Sequence, residues 1–129
     1  MNMEEQIVKN QDLLTEKIIG CCFKVHNKLG PGFIERIYHN ALKLALEKES
    51  LQYQTEKSFD VCYSDQKVGN FRADLLIENE VIVELKSVES NISPIFEHQL
   101  LSYLKASGKH IGLLVNFGNK SCQIKRIVY

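Results

Sequence analysis

Residues 73–87, ADLLIENEVIVELKS, decide how this chain is read. Apolar residues dominate both ends and Glu78-Asn79-Glu80 separates them, which predicts two strands folded about Asn79, a residue that tolerates left-handed backbone. Such a turn pairs Ile77 with Val81 and sets Asp74 opposite Glu84. Cross-strand Cβ atoms lie about 4.5–5.5 Å apart, so two carboxylates converge on one face. Lys86, two residues beyond Glu84, shares that face. Leu75, Ile77, Val81, Val83 and Leu85 take the other and pack beneath a helix. A slip of one residue would separate the carboxylates.

Charges on a strand covered from both sides are costly unless they are paired, metal-bound or functional. Two neighbouring carboxylates need a cation or a proton between them. Mg²⁺ prefers carboxylate and carbonyl oxygens and water. It acidifies bound water and polarises phosphoryl oxygens, and a neighbouring lysine can orient or help deprotonate the attacking water. The same three residues also suit an ion-pair cluster on an exposed sheet face. Spacing alone leaves the two readings even.

The rest of the chain narrows the setting. Its 129 residues suit one domain with a single core. Hydrophobic content of 44% and charged content of 25% exclude a disordered or fibrous chain. No apolar run approaches the roughly 20 residues of a membrane span. The start, MNMEEQIVKNQDLL, is too acidic and polar for a signal or transit peptide, so a cytoplasmic location and no membrane association are expected. Cys21, Cys22, Cys62 and Cys122 show no CxxC spacing, and adjacent Cys21 and Cys22 diverge on a helix. Reduced, mostly buried thiols are expected rather than a metal site. The net charge is zero, yet no Asp or Glu follows Glu97, while Lys105, Lys109, Lys120, Lys125 and Arg126 do. That basic third fits a phosphate backbone and fits an ordinary solvated surface equally.

Periodicity orders the elements. Leu14, Ile18, Cys22, Val25 and Leu29 recur at helical spacing, predicting a helix over Glu4–Leu29 that Gly30-Pro31-Gly32 stops. A second helix is predicted over Phe33–Lys48. Strands follow over Ser58–Tyr63, Lys67–Ile77 and Val81–Lys86, with a turn near Ser64-Asp65. Ser93-Pro94 opens a helix that Ser107-Gly108 closes. Strands near Ile111–Asn116 and Gln123–Val128 end the series. The order ααβββαββ predicts an α/β fold with a mixed central sheet.

Asp74, then Glu84-Leu85-Lys86 after a short hairpin, resembles the D…(D/E)xK signature of the PD-(D/E)xK nuclease superfamily. GFIERIY at 32–38 matches the pattern that names the GxxExxY protein family, a member of that superfamily. QLLSY at 99–103 resembles the QxxxY helix motif of its exonuclease-like and RecB-like branch. The resemblance spans nearly the whole chain, including GLLVNFG at 112–118.

It implies a restriction-endonuclease-like core and hydrolysis of nucleic acid, DNA first, by water activated with Mg²⁺ or Mn²⁺. Asp74 and Glu84 would hold the metal together with the Leu85 carbonyl, and Lys86 would be the catalytic lysine. Glu35 would add a carboxylate from the second helix, directly or through water. Tyr38, one turn on, is expected in the core. Gln99 is expected within the buried stripe of Ile92, Ile95, Phe96, Leu100 and Tyr103, beside the lysine and carboxylates. His26 is a further metal ligand by analogy with a helix histidine of some RecB-like relatives. His39, His98 and His110 show no spacing that singles them out.

Two departures stand out. Ala73 replaces the signature's proline, a variable position that contacts no metal. Only Cys122 follows the nuclease core, so no iron–sulfur cluster is expected. The short chain leaves little room for target recognition, which a homodimer or larger complex would supply. The alternative reading is a catalytically silent module that keeps the fold to bind nucleic acid or protein. The intact Asp74/Glu84/Lys86 set favours the nuclease.

Overall fold

A computed structural model describes residues 1–129 and shows eight elements in the expected order. Helix α1 (Met3–Leu29) opens on a capping box, in which Asn2 Oδ1 accepts from the Glu5 amide at 2.8 Å and Glu5 reaches back to the Asn2 amide. This satisfies donors that a helix start leaves open. Gly30, with φ 68°, ends the helix in backbone that glycine adopts without strain, and its amide bonds the His26 carbonyl at 2.7 Å. Helix α2 (Glu35–Lys48) starts two residues later than Phe33, leaving Phe33 and Ile34 in the turn. Ile34 is 70% exposed; Tyr38, Leu42 and Leu46, one turn apart, form the buried edge.

The remaining elements are β1 (Tyr53–Tyr63), β2 (Gln66–Ile77), β3 (Val81–Lys86), α3 (Pro94–Ser107), β4 (Ile111–Asn116) and β5 (Gln123–Val128). They build one sheet in the order β1-β2-β3-β4-β5, where only β3 and β4 run parallel. Parallel neighbours need a crossover, and α3 supplies it. Helices α1 and α2 cover one face through Ile18, Leu42 and Leu46 against Leu75, Val83 and Leu113. Leu100 and Leu104 of α3 cover the other against Leu76, Ile82 and Leu114. Strand β3 is therefore buried on both sides from Val81 to Leu85, the pattern of an inner parallel strand. Gly112 lets α3 approach β4, since a Cβ there would sit 2.8 Å from Leu100 Cδ1.

Strand β1 begins at Tyr53, five residues before Ser58. Glu56 has φ 51° and interrupts the alternation that would have revealed the strand. The two tight turns match expectation. Ser64 and Asp65 both have positive φ, as a primed hairpin turn requires, and Glu78 and Asn79 do the same in the second. Cys21 and Cys22 are buried, Cys122 is half-buried, and Cys62 departs from the expected burial by being exposed. No helix is long and apolar enough to cross a membrane.

Candidate active site

Strands β2 and β3 pair Leu75 with Val83, Leu76 with Ile82 and Ile77 with Val81. The next pair in that register is Asp74 and Glu84. There the backbone ladder stops and the carboxylates replace it. Glu84 Oε1 accepts from the Asp74 amide at 3.1 Å, and Asp74 Oδ2 accepts from the Leu85 amide at 2.8 Å. Each acid thus clasps the opposite strand with one oxygen. Their second oxygens take no bond from an amide, amine or hydroxyl and are not sealed from solvent, and the two carboxyl groups lie close enough for a protonated Glu84 to bond Asp74.

Alternation fails at the same place. Leu75 and Ile77 belong to the core under α1 and α2, and Leu76 to the core under α3. Ala73 should share the face of Leu75 but packs in the α3 core. Across β1, the pairing passes from Thr55–Leu75 to Lys57–Ala73 and skips Glu56, whose φ is 51°. Local irregularities of this sort re-aim side chains. Here Asp74 comes to line a cavity of about 220 Å³ with Leu85 and with Glu35, Arg36 and His39 of α2.

The charges respond to this crowding. Burial above all, and Asp74 next, push the Glu84 carboxyl up to about 8, against an opposing pull from Lys86. Glu84, 6% exposed, is therefore the acid of the pair that favours keeping its proton, a place that a cation can take instead. Glu35, the first residue of α2, is open to solvent; what burial it has raises its carboxyl, Lys86 opposes, and Asp74 adds to the rise. Lys86 makes no ion pair; its Nζ stands 4.3 Å from the centre of the Phe96 ring. Tyr103 stacks on Phe71 at 4.0 Å, and burial followed by the charges of Glu84 and Asp74 raises its phenol. Asp74, Glu84, Lys86, Glu35 and Tyr103 thus share one electrostatic neighbourhood.

A second, larger groove of about 990 Å³ runs between the Pro31–Arg36 turn and the Gly118–Lys120 loop. Glu35 and Arg36 border both it and the smaller cavity. Tyr38 holds the turn in place: its hydroxyl donates to the Gly30 carbonyl and accepts from the Phe33 amide, while its ring stacks on Phe117. The GxxExxY pattern acquires a physical reading. Gly32 makes the turn with φ 112°, Tyr38 ties it to the core, and Glu35 stands at the helix start between them.

A model of the PD-(D/E)XK nuclease superfamily matches residues 12–127. The chain belongs to the PD-(D/E)XK nuclease superfamily. Four chains of solved structures match it as well. Among them is the crystal structure of SSO0001, with a TM-score of 0.59 and 23% sequence identity, covering 72% of this chain and 48% of that one. That likeness is one of fold, and this chain spans about half the length of that one. No curated protein matches the chain.

Nucleases of this superfamily typically use a divalent cation, and the donor set fits one. Asp74 and Glu84 each keep an oxygen that no N–H group claims, and carboxylate oxygens suit Mg²⁺ or Mn²⁺. No group of three or more His, Cys, Asp or Glu side chains is drawn together as it stands. A cation would rest first on these two acids, with water filling its shell, as Mg²⁺ commonly does.

One expected site residue lies otherwise than the sequence suggested. Gln99 is exposed rather than buried and bonds no site group. Burial of α3 centres on Leu100 and Leu104, which turns Gln99 to the rim and leaves Ile95 64% exposed. His26 packs against Phe117, and its Nε2 lies 2.8 Å from the Asn119 carbonyl. A carbonyl only accepts, so that nitrogen carries a proton and has no lone pair for a metal. Leu85 lines the site, where its amide donates to Asp74 Oδ2. Two residues were not anticipated. Phe96 carries the lysine, and His39 stands four residues after Glu35 on one helix face, a spacing that could have been read.

Proposed function

We propose that this protein is a divalent-metal-dependent nuclease that hydrolyses DNA phosphodiester bonds, of the GxxExxY kind. One observation carries the reading: two carboxylates face each other across a buried strand pair, where burial first and the neighbouring acid second favour the proton on Glu84, with Lys86 alongside. Such a pair costs stability unless its charge is used.

Asp74 and Glu84 would hold the metal through their free oxygens, with Leu85 beside them. When bound, Mg²⁺ or Mn²⁺ supplies Lewis acidity to the phosphate and lowers the pKa of water. Lys86, carried by Phe96 instead of an acid, keeps its donors free to orient the attacking water and to meet charge growing on the phosphate. Glu35 brings a third carboxylate from the start of α2. Tyr103 feels the charges of both acids from α3, and the solvent-facing amide of Gln99 on the same helix would be free to meet the substrate. Arg36 and Lys120 in the larger groove give the sugar–phosphate backbone a path past Glu35. A second copy of the chain would suit cutting of both strands.

The test is cleavage of labelled linear and circular, single- and double-stranded DNA, with and without Mg²⁺ or Mn²⁺. Wild type runs beside Lys86→Ala and Asp74→Ala. Metal-dependent cutting that falls by about 10²–10⁴-fold in both variants supports the reading. Cutting that persists in both refutes it. The second reading, a non-cleaving binding module, draws on the engagement of both acids with backbone amides. An inert wild type whose melting temperature ignores added metal would establish it.

A further inference from the structure

His39 Nε2 is the one buried side-chain nitrogen or oxygen without a hydrogen-bond partner, on a ring only 5% exposed. An unpaired buried polar group costs about 1–3 kcal/mol, so one that persists calls for a partner in the working state. The other ring nitrogen settles what Nε2 offers. Nδ1 lies 3.3 Å from Arg36 Nη1. A guanidinium has donors and no acceptor, so Nδ1 must accept. A neutral imidazole whose Nδ1 accepts carries its proton on Nε2. Burial chiefly disfavours a second proton on the ring; Asp74 opposes, Arg36 and Lys43 reinforce, and Glu56 opposes. Nε2 is therefore a donor without an acceptor, and it has no lone pair to give a metal.

The cavity that His39 lines contains two acceptors with room for another bond, the carboxylates of Glu35 and Asp74. Glu35 stands open to solvent one turn earlier on the same helix. Asp74 is held, with Oδ2 on the Leu85 amide, while Oδ1 takes no bond from any N–H group. Carboxylates that ligate metals are themselves oriented by hydrogen bonds from neighbouring groups. We propose that His39 is a positioning residue: Arg36 fixes its ring, and its Nε2–H engages the free oxygen of Asp74, setting that carboxylate's orientation. The remaining lone pair of the same oxygen stays available to a cation. The inference rests on reading Asp74 as a metal ligand and adds the Arg36–His39–Asp74 relay behind it.

Two measurements test it. The first is ¹⁵N NMR of the imidazoles in the metal-free protein, wild type against Asp74→Ala. The proposal expects His39 protonated at Nε2 at neutral pH, with that proton slow to exchange and its signal moved by Asp74→Ala. Protonation at Nδ1, or a signal indifferent to Asp74→Ala, overturns it. The second is calorimetric titration with Mn²⁺ of wild type, His39→Gln and His39→Asn, with circular dichroism to establish that each is folded. A glutamine amide reaches the position of Nε2 and can donate there, while asparagine reaches only that of Nδ1. The expected result is affinity weakened about 10–100-fold in His39→Asn and restored in His39→Gln. Equal affinity in all three overturns the relay. A wild type that binds no Mn²⁺ sinks the metal-nuclease reading instead, and the NMR result still decides whether His39 engages Asp74.

Discussion

Replacing Glu84 by glutamine should make the metal-free protein more stable at high pH while abolishing its response to metal. Glutamine imitates the protonated acid: its oxygen can still accept the Asp74 amide, and its NH₂ can donate to the Asp74 carboxylate. Glu84 is held up from its ordinary 4.5 to about 8, so between those values the folded state binds a proton that the unfolded state has lost. Stability from this group is fully present below about 4.5 and is lost as pH rises through about 8. At ~1.36 kcal/mol per pH unit the upper limit is roughly 5 kcal/mol. Asp74 can relax with Glu84, and one Glu84 oxygen reaches water, so about 2–4 kcal/mol is the working expectation. For a chain of this length that is roughly 6–20 °C in Tm. Thermal melts by circular dichroism in chelator, for both proteins across pH 4–9, supply the comparison. The curves should coincide near pH 4 and separate above neutrality, with the glutamine variant the higher. Added Mg²⁺ or Mn²⁺ should then raise wild type by mass action and leave the variant unmoved. Parallel curves over the whole range, or a less stable variant at pH 8.5, would refute the buried-pair argument.

Two further outcomes follow from local geometry. Tyr38→Phe removes the hydroxyl that bonds both Gly30 and Phe33, and should lower stability by about 1–2 kcal/mol in urea unfolding; an unchanged midpoint would mean that the Gly30–Gly32 turn holds itself. Alanine should act oppositely at two glycines. A methyl at Gly118 would enter the Val88 backbone and cost about 1–3 kcal/mol, whereas Gly20 in mid-α1 has open space and should gain about 0.5–1 kcal/mol. Unfolding midpoints of equal sign for the two variants would contradict this packing.

The outline of the fold was legible because its punctuation is chemical. Gly30-Pro31-Gly32, Asn79 and Ser93-Pro94 each mark an end by what their backbone permits, and the helices and turns fall where those residues put them. The inner strand was legible from its composition, since VIVEL reads as covered on both faces. Gln99 was misplaced because its helix was phased on Ile95, which the fold leaves in solvent. Each residue turns a helix by about 100°, so an error of one position moves a side chain from core to rim.

The site was harder to read for a reason tied to Asp74 itself. Strict alternation places Asp74 with Glu84 and Lys86 on the α3 face, away from Glu35 and His39 on α2. The fold departs from alternation at that residue, and the departure lets one carboxylate clasp β3 and also line the cavity beneath α2. Its marker is the left-handed backbone of Glu56 on the neighbouring strand. A glycine there would have announced it; a glutamate gives no local sign. Sequence rules fail where a structure violates local preference for a purpose. In this chain the violation lets Asp74 meet Glu84 of β3 on one side and line a cavity with Glu35 of α2 on the other, residues that a regular sheet would keep on opposite faces.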